Sequence, residues 1–140
     1  MSSDGEETEG RRRHIRDGSR FETIAAYSRA ARHGNVVAVS GTAALDDDGT
    51  ALFPGDTYAQ TKEALRRAVL AVEVAGGTSA DVIRTRLYLV NGAEWPEAAR
   101  AHEEQFRGVN PASTMLFVAG FPPRGVLVEV EIDAVLLADC

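Results

Sequence analysis

The chain has 140 residues, 44% hydrophobic and 26% charged, the composition of one globular domain with room for little more. Its formal net charge of -6 argues against nucleic acid as a partner, because nucleic-acid binders present a basic footprint. Cys140 is the sole cysteine, which excludes an internal disulfide and a cysteine-based zinc site.

Residues 1–12 are small, polar and charged, so a disordered tail is expected there, followed by a single domain over 13–140. The start lacks the apolar stretch of a secretory signal, and no run approaches the ~20 apolar residues of a membrane helix. A cytoplasmic protein is therefore expected. A short first strand falls at 13–16, and Gly18-Ser19 punctuates. Strands over 27–33 and 35–40 are joined at His33-Gly34-Asn35. The β-branched run Val36-Val37-Ala38-Val39 reads as a strand buried on both faces. Asp46-Asp47-Asp48-Gly49 is a turn and lacks the further ligands of a calcium loop.

Asp56 or Thr57 then caps a helix running to about residue 75, with the apolar stripe Leu65, Ala68, Val69, Val72 and Ala75. Gly76-Gly77 ends it. Lys62 is the only lysine of the chain and falls on the polar side with Glu63, Arg66 and Arg67, so a Schiff-base mechanism has no buried candidate. A strand over 82–90 alternates, with Ile83, Thr85, Leu87 and Leu89 on one face and Arg84, Arg86, Tyr88 and Val90 on the other. A helix over 94–107 carries Trp95, Ala98, Ala99, His102 and Phe106 on its stripe, which makes His102 a partly buried packing residue. Pro111 opens a strand over 112–119. In the last strand, 126–137, Val128, Val130 and Ile132 oppose Glu129, Glu131 and Asp133.

The order β-β-β-α-β-α-β-β describes a two-layer α+β domain, a mixed six-stranded sheet with two helices on one face. The other face is half polar and has no helix to cover it, which points to packing between subunits.

Several segments in order resemble one known family: Tyr27-Ser28-Arg29-Ala30, Gly34-Asn35, Val39-Ser40-Gly41, Gln60-Thr61, Asp81-Val82-Ile83-Arg84-Thr85, Asn110-Pro111-Ala112 and Val128-Glu129-Val130-Glu131. Over about residues 19–137 the chain resembles the Rid (YjgF-like) family of reactive intermediate deaminases. The resemblance implies a chorismate-mutase-like fold and a homotrimer in which three sheets form a central barrel. It implies ligand clefts between neighbouring subunits, a small anionic metabolite as ligand, and neither metal nor organic cofactor. The family's best-studied branch hydrolyses enamines and imines to 2-oxo acids and ammonia; other members are described as endoribonucleases or translation inhibitors.

By the same resemblance Glu129 stands at the position of a water-activating glutamate, Tyr27 at that of a cleft tyrosine, and Gly41 where the backbone approaches the ligand. The chain departs from the family at one point. An arginine that grips the substrate carboxylate directly follows the Pro-Ala pair in the deaminase branch, and Ser113 stands there instead, with Met115 in the place of a frequent cysteine. A hydroxyl cannot reproduce the planar, bidentate match of a guanidinium to a carboxylate. Weak or atypical deaminase activity is expected, with two alternatives: a non-catalytic metabolite-binding protein, or a different specialised reaction in the same cleft. Arg86 is the expected replacement anchor, on one face with Tyr88 and Glu129, with Ser113 and Met115 expected to point the same way; the alternative is a salt bridge from Arg86 to Glu129 or Glu131 that neutralises the barrel wall. No histidine pair has metal-ligand spacing, and nothing around Ser113 resembles a nucleophile elbow.

Overall fold

The structure, a computed structural model, describes residues 12–137. The expected tail, apart from Arg12, lies outside these residues, as does Cys140. Six strands form one sheet in the order β1-β2-β3-β6-β4-β5, where β1 is Arg12–Ile15, β2 Ala30–His33, β3 Val36–Thr42, β4 Val82–Val90, β5 Ala112–Val118 and β6 Val128–Val135. Neighbours are antiparallel except β4 and β5, which run parallel because a helix crosses between them. The two long helices lie on one face, as expected from the uncovered polar pattern on the other.

Helix α1, Arg20–Ala25, has no counterpart among the expected elements. Ser19 caps it by accepting from the Phe21 N–H, and Ala26 ends it in the left-handed region at φ 55°. The spacing Ser19…Glu22 is the S-x-x-E signature of a helix start, a signal present in the sequence. Glu22 is 3% exposed and its carboxylate accepts from the N–H groups of Asp17, Gly18 and Arg29. It thereby ties the chain before α1 to the start of β2.

Helix α2, Thr57–Val74, starts with Asp56 accepting from the Ala59 N–H. Its expected stripe is buried in full. The last carbonyls receive guanidinium groups from two strands: Arg13 donates to Val74 O and Ala75 O, and Arg32 donates to Ala75 O at 2.7 Å. These cations sit at the negative end of the helix dipole. Gln60, 1% exposed, accepts from the Leu127 N–H and donates to Gly125 O, fixing the approach to β6.

Helix α3, Trp95–Phe106, departs from the expected stripe. Trp95 is 56% exposed, whereas Ala98 and Phe106 of that stripe are buried as expected and Ala101 is buried beside them. Ile83 also departs: a register shift between Val82 and Arg84 buries Val82 and leaves Ile83 52% exposed. In β3, Val37 and Val39 are buried while Val36 and Ala38 are exposed in the single chain, so only one of the two faces is covered. The core lies between helices and sheet, where Val37, Val39, Leu87, Leu89, Val128, Val130 and Ile132 meet Leu65, Ala68, Val72 and Phe106. The opposite face carries Arg86, Tyr88, Glu129, Glu131 and Asp133. No helix among the described residues is long and apolar enough to cross a membrane.

Candidate functional site

A second register shift, between Val39 and Thr42 where β3 pairs with β6, brings Gly41 against Glu129. A methyl group built on Gly41 would overlap Glu129 Oε1 and stand 3.1 Å from its Cδ. Glycine is therefore needed here for the close approach of a carboxylate. Burial pushes the Glu129 carboxyl above the usual carboxylate range, Arg29 opposes this, and the charge of Glu131 adds to it. A carboxyl raised in this way can take and return a proton nearer neutrality than a free glutamate.

Arg29 stands beside this pair. Its Nη2 donates to Gly41 O at 2.8 Å, and its guanidinium carbon is 5.7 Å from the centre of the Tyr27 ring. The backbone here is held by Ser40, whose N–H donates to Arg29 O and whose hydroxyl donates to Ser28 O. Tyr27 lines a cavity of about 400 Å³ on the open sheet face with Ser28, Ser40, Arg86, Glu131 and Asp133. Tyr88 lies opposite Glu129 in the strand register, but its hydroxyl donates to Glu131, a bond that together with burial raises its pKa.

The expected grouping of Arg86 with Ser113 and Met115 is not what the register produces. The parallel pairing of β4 and β5 sets Ser113 opposite Thr85 and Met115 opposite Leu87, both on the helix side of the sheet. Arg86 pairs with Thr114 and projects to the open side, where its Nη1 donates to Asp133 Oδ2 at 3.1 Å. Within one chain Arg86 does not reach the space beside Ser113. Asp133, rather than Glu129 or Glu131, takes up its charge.

Ser113 instead ends a hydrogen-bonded chain missed in the sequence. The Thr85 hydroxyl lies 2.7 Å from the Ser113 hydroxyl and 2.7 Å from His102 Nε2. His102 is half-buried, its ring 4.9 Å from that of Phe106, and burial lowers its pKa. Its expected packing role stands, with a polar bond added. Met115 lines an apolar groove with Leu89, Trp95, Ala99, Leu116 and Phe117. Lys62 is exposed, as expected. Asp46 accepts from the N–H groups of Asp48 and Thr50, which makes the acidic run a turn.

A six-stranded α+β sheet with a raised glutamate pressed on a glycine bulge defines the class, and comparison with known proteins names it. The family model described as Endoribonuclease L-PSP matches residues 17–136. The chain belongs to this family, the Rid or YjgF family. It is 39% identical over 122 residues to an uncharacterized Streptomyces coelicolor protein, covering 87% of this chain and 90% of that one. It is 30% identical over 112 residues to the mouse 2-iminobutanoate/2-iminopropanoate deaminase, covering 80% of this chain and 82% of that one. The crystal structure of Rv2704 from Mycobacterium tuberculosis, of the YjgF/YER057c/UK114 family, superimposes with a TM-score of 0.80 at 39% identity, over 89% of this chain and 99% of that one.

Proposed function

We propose that the protein hydrolyses small anionic imines or enamines, with Glu129 as the proton-transfer group. The observation that carries this reading is the Glu129 carboxyl, raised by burial and seated on Gly41. The substrate reacts as its protonated C=NH2+ form, which an enamine reaches by taking a proton on carbon. Water loses a proton to Glu129 as its oxygen bonds to the C=N carbon, giving a neutral carbinolamine. Glu129 returns that proton to the nitrogen and then takes the hydroxyl proton as the C–N bond breaks and the C=O bond forms, so a 2-oxo acid and ammonia leave and the remaining proton passes to solvent. Tyr27 borders the site, and Tyr88 donates its hydroxyl to Glu131, whose charge is felt by Glu129.

Ser113 and Met115 lie on the face of the sheet opposite to Glu129. A ligand touching both sets needs two copies of the chain, with the edge strand β5 of one closing the site of its neighbour. The uncovered face supports a homotrimer: Val36 and Val135 are paired across it and exposed, and Leu116 is 44% exposed on β5. The net charge of -6 weighs against ribonuclease action. Ser113 in the anchor position favours a second reading, a metabolite-binding protein without turnover. Ammonia release from 2-iminobutanoate separates them. Release above the uncatalysed rate that is lost in Glu129→Gln supports hydrolysis; binding of 2-oxobutanoate with no release supports the second reading.

A further inference from the structure

Arg29 brings a positive charge to the site with no carboxylate paired to it. Arg32 donates to the carbonyls of Gly34 and Ala75, while six other guanidinium groups are matched with carboxylates: Arg66 and Arg67 with Glu63, Arg84 and Arg86 with Asp133, Arg100 with Glu97 and Arg107 with Glu103. Most of these lie near solvent, where an unpaired charge costs little. Arg29 is half-buried, where it costs more, and no carboxylate among the described residues lies within ion-pair distance of it. Among the described residues its side chain makes one hydrogen bond, to Gly41 O, and its Nε is buried with no partner. Buried donors are nearly always satisfied, so Arg29 keeps hydrogen-bonding capacity that none of the described residues uses.

We propose that Arg29 is the anion anchor of this site, binding the carboxylate of a small 2-imino or 2-oxo acid in place of the guanidinium absent at Ser113. This rests on the hydrolytic reading above and adds the residue that selects its substrate. In a 2-imino acid the carboxylate carbon is bonded directly to the C=N carbon, so anchor and proton-transfer group must be near neighbours. Arg29 meets that condition: its charge is felt by Glu129, it bonds the carbonyl of the glycine on which Glu129 sits, and it lies next to Tyr27. Arg86 meets it less well, because Asp133 already holds its charge at 3.1 Å.

The test is calorimetric titration of the whole protein with 2-oxobutanoate and with its uncharged amide, for wild type, Arg29→Gln and Arg29→Lys. Wild type is expected to prefer the acid by ~30-fold or more, the scale of one charged, hydrogen-bonded contact. Arg29→Gln should lose that preference while its affinity for the amide is kept. Arg29→Lys retains the charge without the fork and should keep part of the preference. A merely structural Arg29 would weaken both ligands alike, which overturns the proposal, as does a wild type without acid preference. Should the glutamine variant not fold, an unchanged preference in Arg29→Lys is the overturning result. Ammonia release from 2-iminobutanoate, measured on the same preparations, keeps the two readings apart. Acid preference without release leaves the anchor standing and removes the hydrolysis; release without acid preference does the reverse.

Discussion

Gly41→Ala is the most direct perturbation of the proposed chemistry, because it moves Glu129 without removing it. The added methyl would overlap Glu129 Oε1 and lie 3.1 Å from Cδ and 3.5 Å from Cγ. The terminal oxygen must retreat by about 1 Å to regain ordinary van der Waals separation. Because the overlap is with the end of a flexible side chain, the fold should survive. An off-rotamer glutamate costs about 0.5–1.5 kcal/mol, and replacing glycine where φ is compatible recovers about 0.4–1 kcal/mol through the unfolded chain. Gly41 is not among the residues with positive φ, so the second effect applies. The two nearly cancel, and the melting temperature should move by no more than a few degrees. Catalysis should respond differently, since a misplacement of about 1 Å in a reacting group can cost ~100-fold. Ammonia release from 2-iminobutanoate, read beside a thermal melt, should therefore fall about two orders of magnitude with little change in stability. Undiminished release in a folded Gly41→Ala variant would refute the assignment of Glu129. A collapse of stability would mean that the carboxylate is clamped in place rather than free to turn.

Glu129→Gln should lose ammonia release yet be more stable than wild type at pH 7. The folded-state pKa of Glu129 is raised above its ordinary value, so its favourable contribution is full below about pH 4.5 and lost as pH rises through the folded pKa. The variant's advantage in thermal melts should accordingly shrink toward pH 4; a lower melting temperature at pH 7 would contradict the burial argument. Light scattering should return three times the chain mass of 15.0 kDa at micromolar concentration, and a monomer would remove the second half of the cleft. Ser113→Arg should raise ammonia release by ~10-fold or more if β5 of a neighbouring chain closes the site, by adding a bidentate carboxylate contact. No gain from a folded variant would place residue 113 outside the cleft.

The local pattern of the chain was enough for the layers and for naming several residues of the candidate site. Alternation over 128–133 separates the core valines from Glu129, Glu131 and Asp133, and the buried stripe of α2 follows from helical spacing alone. The match of Tyr27, Gly41 and Glu129 to family positions was legible as well, since these residue types stand at the expected distances along the chain. Tertiary structure decided what those residues touch. Alternation is a property of one strand with period two, whereas a bulge or a register depends on the partner strand. The shift at Val82/Arg84 turns Ile83 outward, and the shift at Val39/Thr42 seats Glu129 on Gly41. The parallel register of Thr85 with Ser113 carries Ser113 to the helix side and parts it from Arg86. Arg29 was visible only as a letter between Tyr27 and the first core residue of β2. Its charge could be recognised as unpaired only once the fold had shown which carboxylates bridge to other arginines and that, among the described residues, none bridges to the Arg29 guanidinium.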